Sequence, residues 1–267
     1  MSDLCPHFLQ LTPVRPQADL WVFLPGMDGW GSLFARQAQG LQRDFEVRAM
    51  RIPSENRLDW DGLSDRLTEF IEAQLVSGVN RQVYLCGESF GGCLALKTVL
   101  KAPELISRLI LVNPASSFHR RPWMALGESI VPWIPDRLYN LGSVAVYFLL
   151  AALPRLAPED RQALWSALCD VPADTSAWRL SLLRQFTINP QDLQGIVQPT
   201  LILASGSDRL LPSMSEADYL QQQLPDAQVI KLPYSGHACL LEESISLFTI
   251  LGDRGWIRSP SPTEITP

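Results

Sequence analysis

Short apolar runs alternate with helix-patterned stretches through the first 112 residues and again beyond residue 200. Leu20–Leu24 (LWVFL), Val47–Met50, Gln82–Gly87 (QVYLCG) and Leu109–Val112 are short, apolar and bounded by turn residues, which predicts buried strands. Leu63, Leu67, Phe70, Ile71 and Leu75 recur at the three- and four-residue spacing of one helix face. Helices are also predicted over about Ser32–Leu41 and over Phe90–Lys101, the second stopped by Pro103. Further on come strands at Thr200–Ala204 and Gln228–Leu232, a helix near Ser215–Gln223 and a last helix from about His237 to Leu251. Strands separated by helices call for an α/β fold with a mainly parallel sheet covered on both faces. In such sheets, ligands collect at the carboxyl ends of the strands, here the loops after Leu24, Gly87, Val112, Ala204 and Leu232.

The alternation breaks between about residues 115 and 194. That stretch carries Trp123, Trp133, Trp165 and Trp178 among helical-looking apolar runs and prolines, and it reads as a helical cap inserted into a single domain spanning 1–267. Within it, Leu141–Leu153 (LGSVAVYFLLAAL) is apolar over 13 residues. A bilayer core needs about 20, so the run predicts either a buried helix or a lid over a site. On the lid reading, Trp123, Trp133, Tyr139, Tyr147 and Phe148 form a substrate wall, and Arg120, Arg121 and Arg137 meet acidic lipid headgroups at a membrane surface. The stretch from about 255 to 267 is rich in Pro, Ser and Thr and is expected to fray.

Composition narrows the function. Hydrophobic residues make up 46% of the 267 and charged residues 19%, which a chain with a packed core requires. A net charge of -6 with no Lys/Arg run argues against a nucleic-acid partner. Five cysteines without a CxxC pair give no disulfide framework. The N-terminus lacks a signal-peptide pattern, and these features together predict a cytoplasmic protein, membrane-peripheral if the cap meets lipid. Three scattered histidines and the absence of HExxH predict no metal, and no cofactor motif is present.

Chemistry concentrates in Gly87-Glu88-Ser89-Phe90-Gly91, a GxSxG motif between a predicted strand and a predicted helix. The tight turn exposes the Ser89 hydroxyl at a helix N-terminus, and it crowds positions two before and two after, where only glycine fits. A serine hydroxyl needs a base. His237, in the loop after the last strand, is the leading candidate, with His119 and His7 as rivals. Asp208, in the loop after Thr200–Ala204, is the candidate to orient that base, with Asp192, Glu242 and Glu243 as alternatives. Acyl transfer also needs N–H donors for a developing oxyanion. The backbone N–H of Phe90 supplies one, and the glycine-rich turn Pro25–Gly31 supplies the other, at Met27.

The segments PGMDG, GESFGG, VNPASSF, ASGSDRLLPS and SGHACLLE together resemble the esterase/lipase/thioesterase-type hydrolase region of the phytyl ester synthase and diacylglycerol acyltransferase family of phototrophs. The resemblance runs from about Trp21 to Gly252. It implies an α/β-hydrolase fold, with Ser89, Asp208 and His237 at the triad positions and Met27 and Phe90 as oxyanion donors. Longer members of that family carry a second, acyltransferase-type domain with an HxxxxD motif. Here the residues five places after the histidines are Thr12, Met124 and Glu242. That departure favours hydrolysis, as in single-domain relatives such as dephytylating esterases.

The expected activity is therefore cleavage of an apolar carboxylic ester, with a long acyl or an isoprenoid (phytyl) group, through an acyl-enzyme on Ser89. Acyltransferases, thioesterases, C–C hydrolases and menaquinone-pathway lyases of the same fold use the same three side chains and stand as alternatives. A non-catalytic binding scaffold is the reading from another class, and the complete Ser–Asp–His set argues against it.

Overall fold

The computed structural model of the chain describes residues 4–75, 81–120 and 146–257. Seven strands form one sheet: β1 (His7–Gln10), β2 (Asp19–Leu24), β3 (Phe45–Arg51), β4 (Val83–Glu88), β5 (Arg108–Val112), β6 (Thr200–Ser205) and β7 (Ala227–Leu232). Their spatial order is β1-β3-β2-β4-β5-β6-β7, with only β1 antiparallel to its neighbour. The helices between them are α1 (Ala35–Leu41), α2 (Trp60–Gln74), α3 (Phe90–Lys101), α4 (Pro158–Cys169), α5 (Ala173–Gln185), α6 (Pro190–Gln194), α7 (Ser213–Gln223) and α8 (Leu247–Asp253).

Strand alternation divides the core in two. On β2, Leu20, Val22 and Leu24 pack with α2 and α3 on one face, while Trp21 and Phe23 join Phe34, Phe45 and Tyr84 on the other. Both sets are buried, so the strand reads as a continuous apolar run, as a parallel sheet covered on both sides requires. The chain leaves β2 toward β3 on one side and returns to β4 on the other. The loops after β2 and β4 therefore diverge and open a crevice at the carboxyl end of the sheet. Register places Leu24 beside Gly87, so both loops start level with each other.

Three features differ from the sequence expectation. The edge strand β1 has no alternating pattern of its own; it exists because Phe8 pairs opposite Met50 and stacks on Phe70. No helix begins at His237. A 3₁₀ turn at Cys239–Leu241 and an extended link precede α8, because the buried Glu242 carboxylate accepts from the Gly236 amide at 2.8 Å and from Ser235 Oγ at 2.9 Å, tying the segment into a loop. Residue 256 is packed, since Trp256 is buried and its carbonyl accepts the Tyr84 hydroxyl at 2.7 Å; residues 258–267 of the expected tail lie outside the described residues.

Helices α4, α5 and α6 lie between β5 and β6, where the inserted cap was expected. Trp123, Trp133, Tyr139, Arg121 and Arg137 lie outside the described residues, as do the side chains of His119 and Arg120. Among the described residues no helix is long and apolar enough to cross a membrane.

Candidate active site

Ser89 sits between β4 and α3 with φ 53° and ψ -112°, a conformation costly for any residue with a Cβ. The turn closes so tightly that a Cβ on Gly87 would strike the Gly91 carbonyl, and one on Gly91 would strike the Leu24 carbonyl. Backbone bonds hold the strained residue: its amide donates to Val112 O, and its carbonyl accepts from Gly92 and Ala115, each at 3.0 Å. As the first residue of α3, Phe90 has an N–H with no acceptor inside the helix.

The loops after β6 and β7 bring Asp208 and His237 together. His237 Nδ1 lies 2.7 Å from Asp208 Oδ2. Asp208 Oδ1 accepts from the amides of Leu210 and Leu211 at 2.8 and 2.9 Å, and Oδ2 also accepts from Ser213 Oγ. Burial pushes the Asp208 carboxyl up, but the His237 charge and these donors outweigh it and hold it below its ordinary value. An ionised carboxylate only accepts, so Nδ1 carries the proton and Nε2 keeps its lone pair. Burial disfavours the imidazolium, yet Asp208, with Glu88 behind it, raises the His237 pKa above its ordinary value. Nε2 is buried and has no hydrogen-bond partner among the described residues. His237 and Ser89 both line one cavity of about 310 Å³.

The rivals are placed elsewhere. His7 is the first residue of the edge strand β1, with its Nδ1 3.4 Å from the Cys5 carbonyl. Glu242 supports the histidine loop instead of the imidazole, and Asp192 lies in the first turn of α6. The glycine-rich turn runs beside Ser89. Gly29 donates to Gly26 O at 3.0 Å, closing a turn with Met27 and Asp28 at its corner. Among the described residues nothing in the protein accepts the Met27 N–H.

The cavity is otherwise apolar, with Leu33, Phe118, Leu164, Leu168, Leu180 and Leu183 in its wall. Among the described residues lining it, the titratable ones are Asp28, Glu88 and His237, and none is a lysine or arginine. Burial raises Glu88 to about 7, with Asp28 adding to the rise and His237 opposing it. Of the expected cap wall, Tyr147 turns away to pack edge-on against Trp165, and Phe148 is 54% exposed. Val146 and Leu150, one helical turn apart, face the cavity in their place.

Sequence reasoning missed Asn113, fully buried at φ 44° after β5. Its Nδ2 donates to Ser205 Oγ at 2.9 Å and to His237 O at 2.7 Å, and its Oδ1 accepts the Ser205 amide at 2.9 Å. It thus ties the end of β6 to the histidine loop. The asparagine in VNPASS, directly after a strand, was the available signal. Arg179 of α5 was missed as well; its guanidinium donates to Met27 O at 2.5 Å and to Ile52 O at 2.8 Å.

A mainly parallel sheet with a strained serine after its fourth strand and a histidine–carboxylate pair on later loops defines an α/β hydrolase. The chain belongs to the α/β hydrolase family, whose model matches residues 21–245. It is similar to phytyl ester synthase 1, chloroplastic, of Arabidopsis thaliana, at 32% identity over 260 residues. That match covers 89% of this chain but 37% of the synthase, so the chain spans little more than a third of that relative. A putative carbamate hydrolase RutD of Klebsiella pneumoniae is 26% identical over 256 residues, covering 89% of this chain and 91% of its own. Among solved structures, MenH from S. aureus superposes with a TM-score of 0.76 over 95% of this chain and 97% of that one, at 19% identity, a likeness of fold.

Proposed function

We propose that the protein is a serine hydrolase that cleaves a neutral, apolar carboxylic ester through an acyl-enzyme on Ser89. The observation that carries this reading is the buried Nε2 of His237, unpartnered among the described residues, in the wall of the same apolar cavity as Ser89, with Nδ1 held by Asp208. Nε2 takes the Ser89 proton as Oγ attacks the ester carbonyl. The N–H groups of Met27 and Phe90 receive the charge that develops on the carbonyl oxygen. The tetrahedral adduct collapses, the imidazolium gives its proton to the departing alcohol, and the acyl group stays on Ser89. Water, deprotonated by the same nitrogen, then releases the acid and restores the serine.

The cavity supports the choice of substrate. Its leucine-rich wall favours a long acyl or isoprenoid chain, and the similarity to phytyl ester synthases points the same way. With Asp28 and Glu88 in the lining and no cation among the described lining residues, none of these residues offers a carboxylate-bearing substrate an opposite charge. This weighs against a C–C hydrolase or lyase acting on an anionic substrate. The test is a fluorophosphonate probe with intact-mass detection. One adduct, mapped to Ser89 and absent in Ser89→Ala, is expected; an unlabelled folded protein overturns the proposal.

A further inference from the structure

Arg179 is buried, 3% exposed, yet no described carboxylate lies within ion-pair distance of it; the buried Asp28 of the glycine-rich turn meets its charge only from farther off. Its guanidinium is satisfied by backbone carbonyls of two segments distant in sequence from α5. Nη1 donates to Met27 O at 2.5 Å; Nη2 donates to Ile52 O at 2.8 Å and lies 3.4 Å from Pro53 O. Burying such a cation is expensive, and an apolar side chain of similar size often serves stability as well or better. Burial lowers its pKa to about 10, so it remains charged at neutral pH.

The position of the carbonyls suggests what the cation does. Met27 O belongs to the residue whose N–H faces the reacting centre in the proposed chemistry. The turn is held at one point by Gly29 N to Gly26 O at 3.0 Å and at another by Ile52 N to Gly29 O at 3.1 Å. Arg179 adds the third support, bridging the Met27 carbonyl to the Ile52 carbonyl beneath it. Gly29, at φ +69°, is shaped to the guanidinium: a Cβ there would sit 2.7 Å from Nη2 and 2.7 Å from Ile52 O. Arg179 is absent from the cavity lining, so it acts on the turn and not on the substrate.

We infer that Arg179 is a positioning residue: α5 of the inserted region reaches beneath the sheet's first active-site loop and fixes the oxyanion-binding amide of Met27. The inference rests on the serine-hydrolase reading. It makes the inserted helices part of the transition-state machinery as well as the wall of the substrate cavity.

Hydrolysis of p-nitrophenyl octanoate by wild-type protein and its loss in Ser89→Ala set the reference. Hydrolysis that survives Ser89→Ala overturns the parent reading without reference to Arg179. Arg179→Met and Arg179→Lys are then compared, with folding checked by circular dichroism. In Arg179→Met kcat falls about 10²-fold while KM stays near the wild-type value, the signature of a displaced transition-state contact. Affinity for an alkyl trifluoromethyl ketone, which forms a tetrahedral oxyanion on the serine, falls in step with kcat. Arg179→Lys keeps the charge and one donor and recovers part of the loss. Arg179→Lys, read by the same split between kcat and KM, decides the matter if Arg179→Met does not fold. Unchanged kcat in folded variants, or a raised KM with kcat intact, overturns the inference.

Discussion

Replacing Glu88 by Gln tests the electrostatics of the site with a change of one atom pair. The Glu88 carboxyl ionises near 4.5 in an unfolded chain and at about 7 in the folded protein, because burial and then Asp28 disfavour its charge. Between those values the folded protein holds a proton that the unfolded chain has released, so stability falls as pH rises through the window. At 1.36 kcal/mol per pKa unit, the loss from this group between pH 5 and pH 8 is about 2 to 3 kcal/mol. His237, also raised, loses its contribution in the same direction, whereas the lowered Asp208 carboxyl contributes stability that is lost only in acid. Urea unfolding at both pH values isolates the glutamate: Glu88→Gln is more stable than wild type at pH 8, and its midpoint varies less with pH. Activity moves too. Glu88 helps hold the proton on His237, and the base works only when neutral. The acid limb of kcat/KM therefore shifts to lower pH in Glu88→Gln. A variant with wild-type pH dependence in both measurements refutes the reasoning.

Two further predictions concern support and specificity. Asn113→Ala strands the buried Ser205 amide and His237 carbonyl, at about 1–3 kcal/mol each; Asn113→Gly loses the same bonds but tolerates φ 44° better, by roughly 1 kcal/mol. Urea denaturation ranks wild type above Asn113→Gly above Asn113→Ala, and a wild-type midpoint in Asn113→Ala refutes the tether. Across p-nitrophenyl esters, kcat/KM climbs by up to about fourfold per added methylene until the cavity is full, from about 0.8 kcal/mol per buried CH₂. Leu168→Trp, which narrows the wall, moves the optimum to shorter chains; peak activity on acetate in the wild type refutes an apolar-chain substrate.

What could be read in the sequence was local. The strand–GESFG–helix segment encodes half of its own turn: Gly87 answers a clash with Gly91 and Gly92, while Gly91 answers the carbonyls of Leu24 and Pro25 at the end of the neighbouring strand. The alternation of short apolar runs with helix-patterned stretches sufficed for a parallel sheet, and a parallel sheet places its loops at one end. The order of Ser89, Asp208 and His237 on those loops was therefore legible, as was the glycine-rich turn carrying Met27. The tertiary structure decided matters that depend on partners far along the chain. Arg179 and Met27 are 152 residues apart, and Asn113 and His237 are 124 apart. No periodicity in either segment reports such contacts. The rotation of residues 146–150 was equally hidden: an all-apolar run has no polar stripe to show which side faces in, so Val146 and Leu150, not Tyr147 and Phe148, line the cavity. The helix expected from His237 failed for a related reason. Its apolar spacing was real, but the buried Glu242 carboxylate, held by Arg155 Nε at 2.5 Å and bonded back to Gly236, gives the backbone a better-satisfied loop than a helix would. Patterns in sequence specify which face of an element is apolar; the pairing of buried polar groups, which sets the geometry of the site, exists only once the chain has folded.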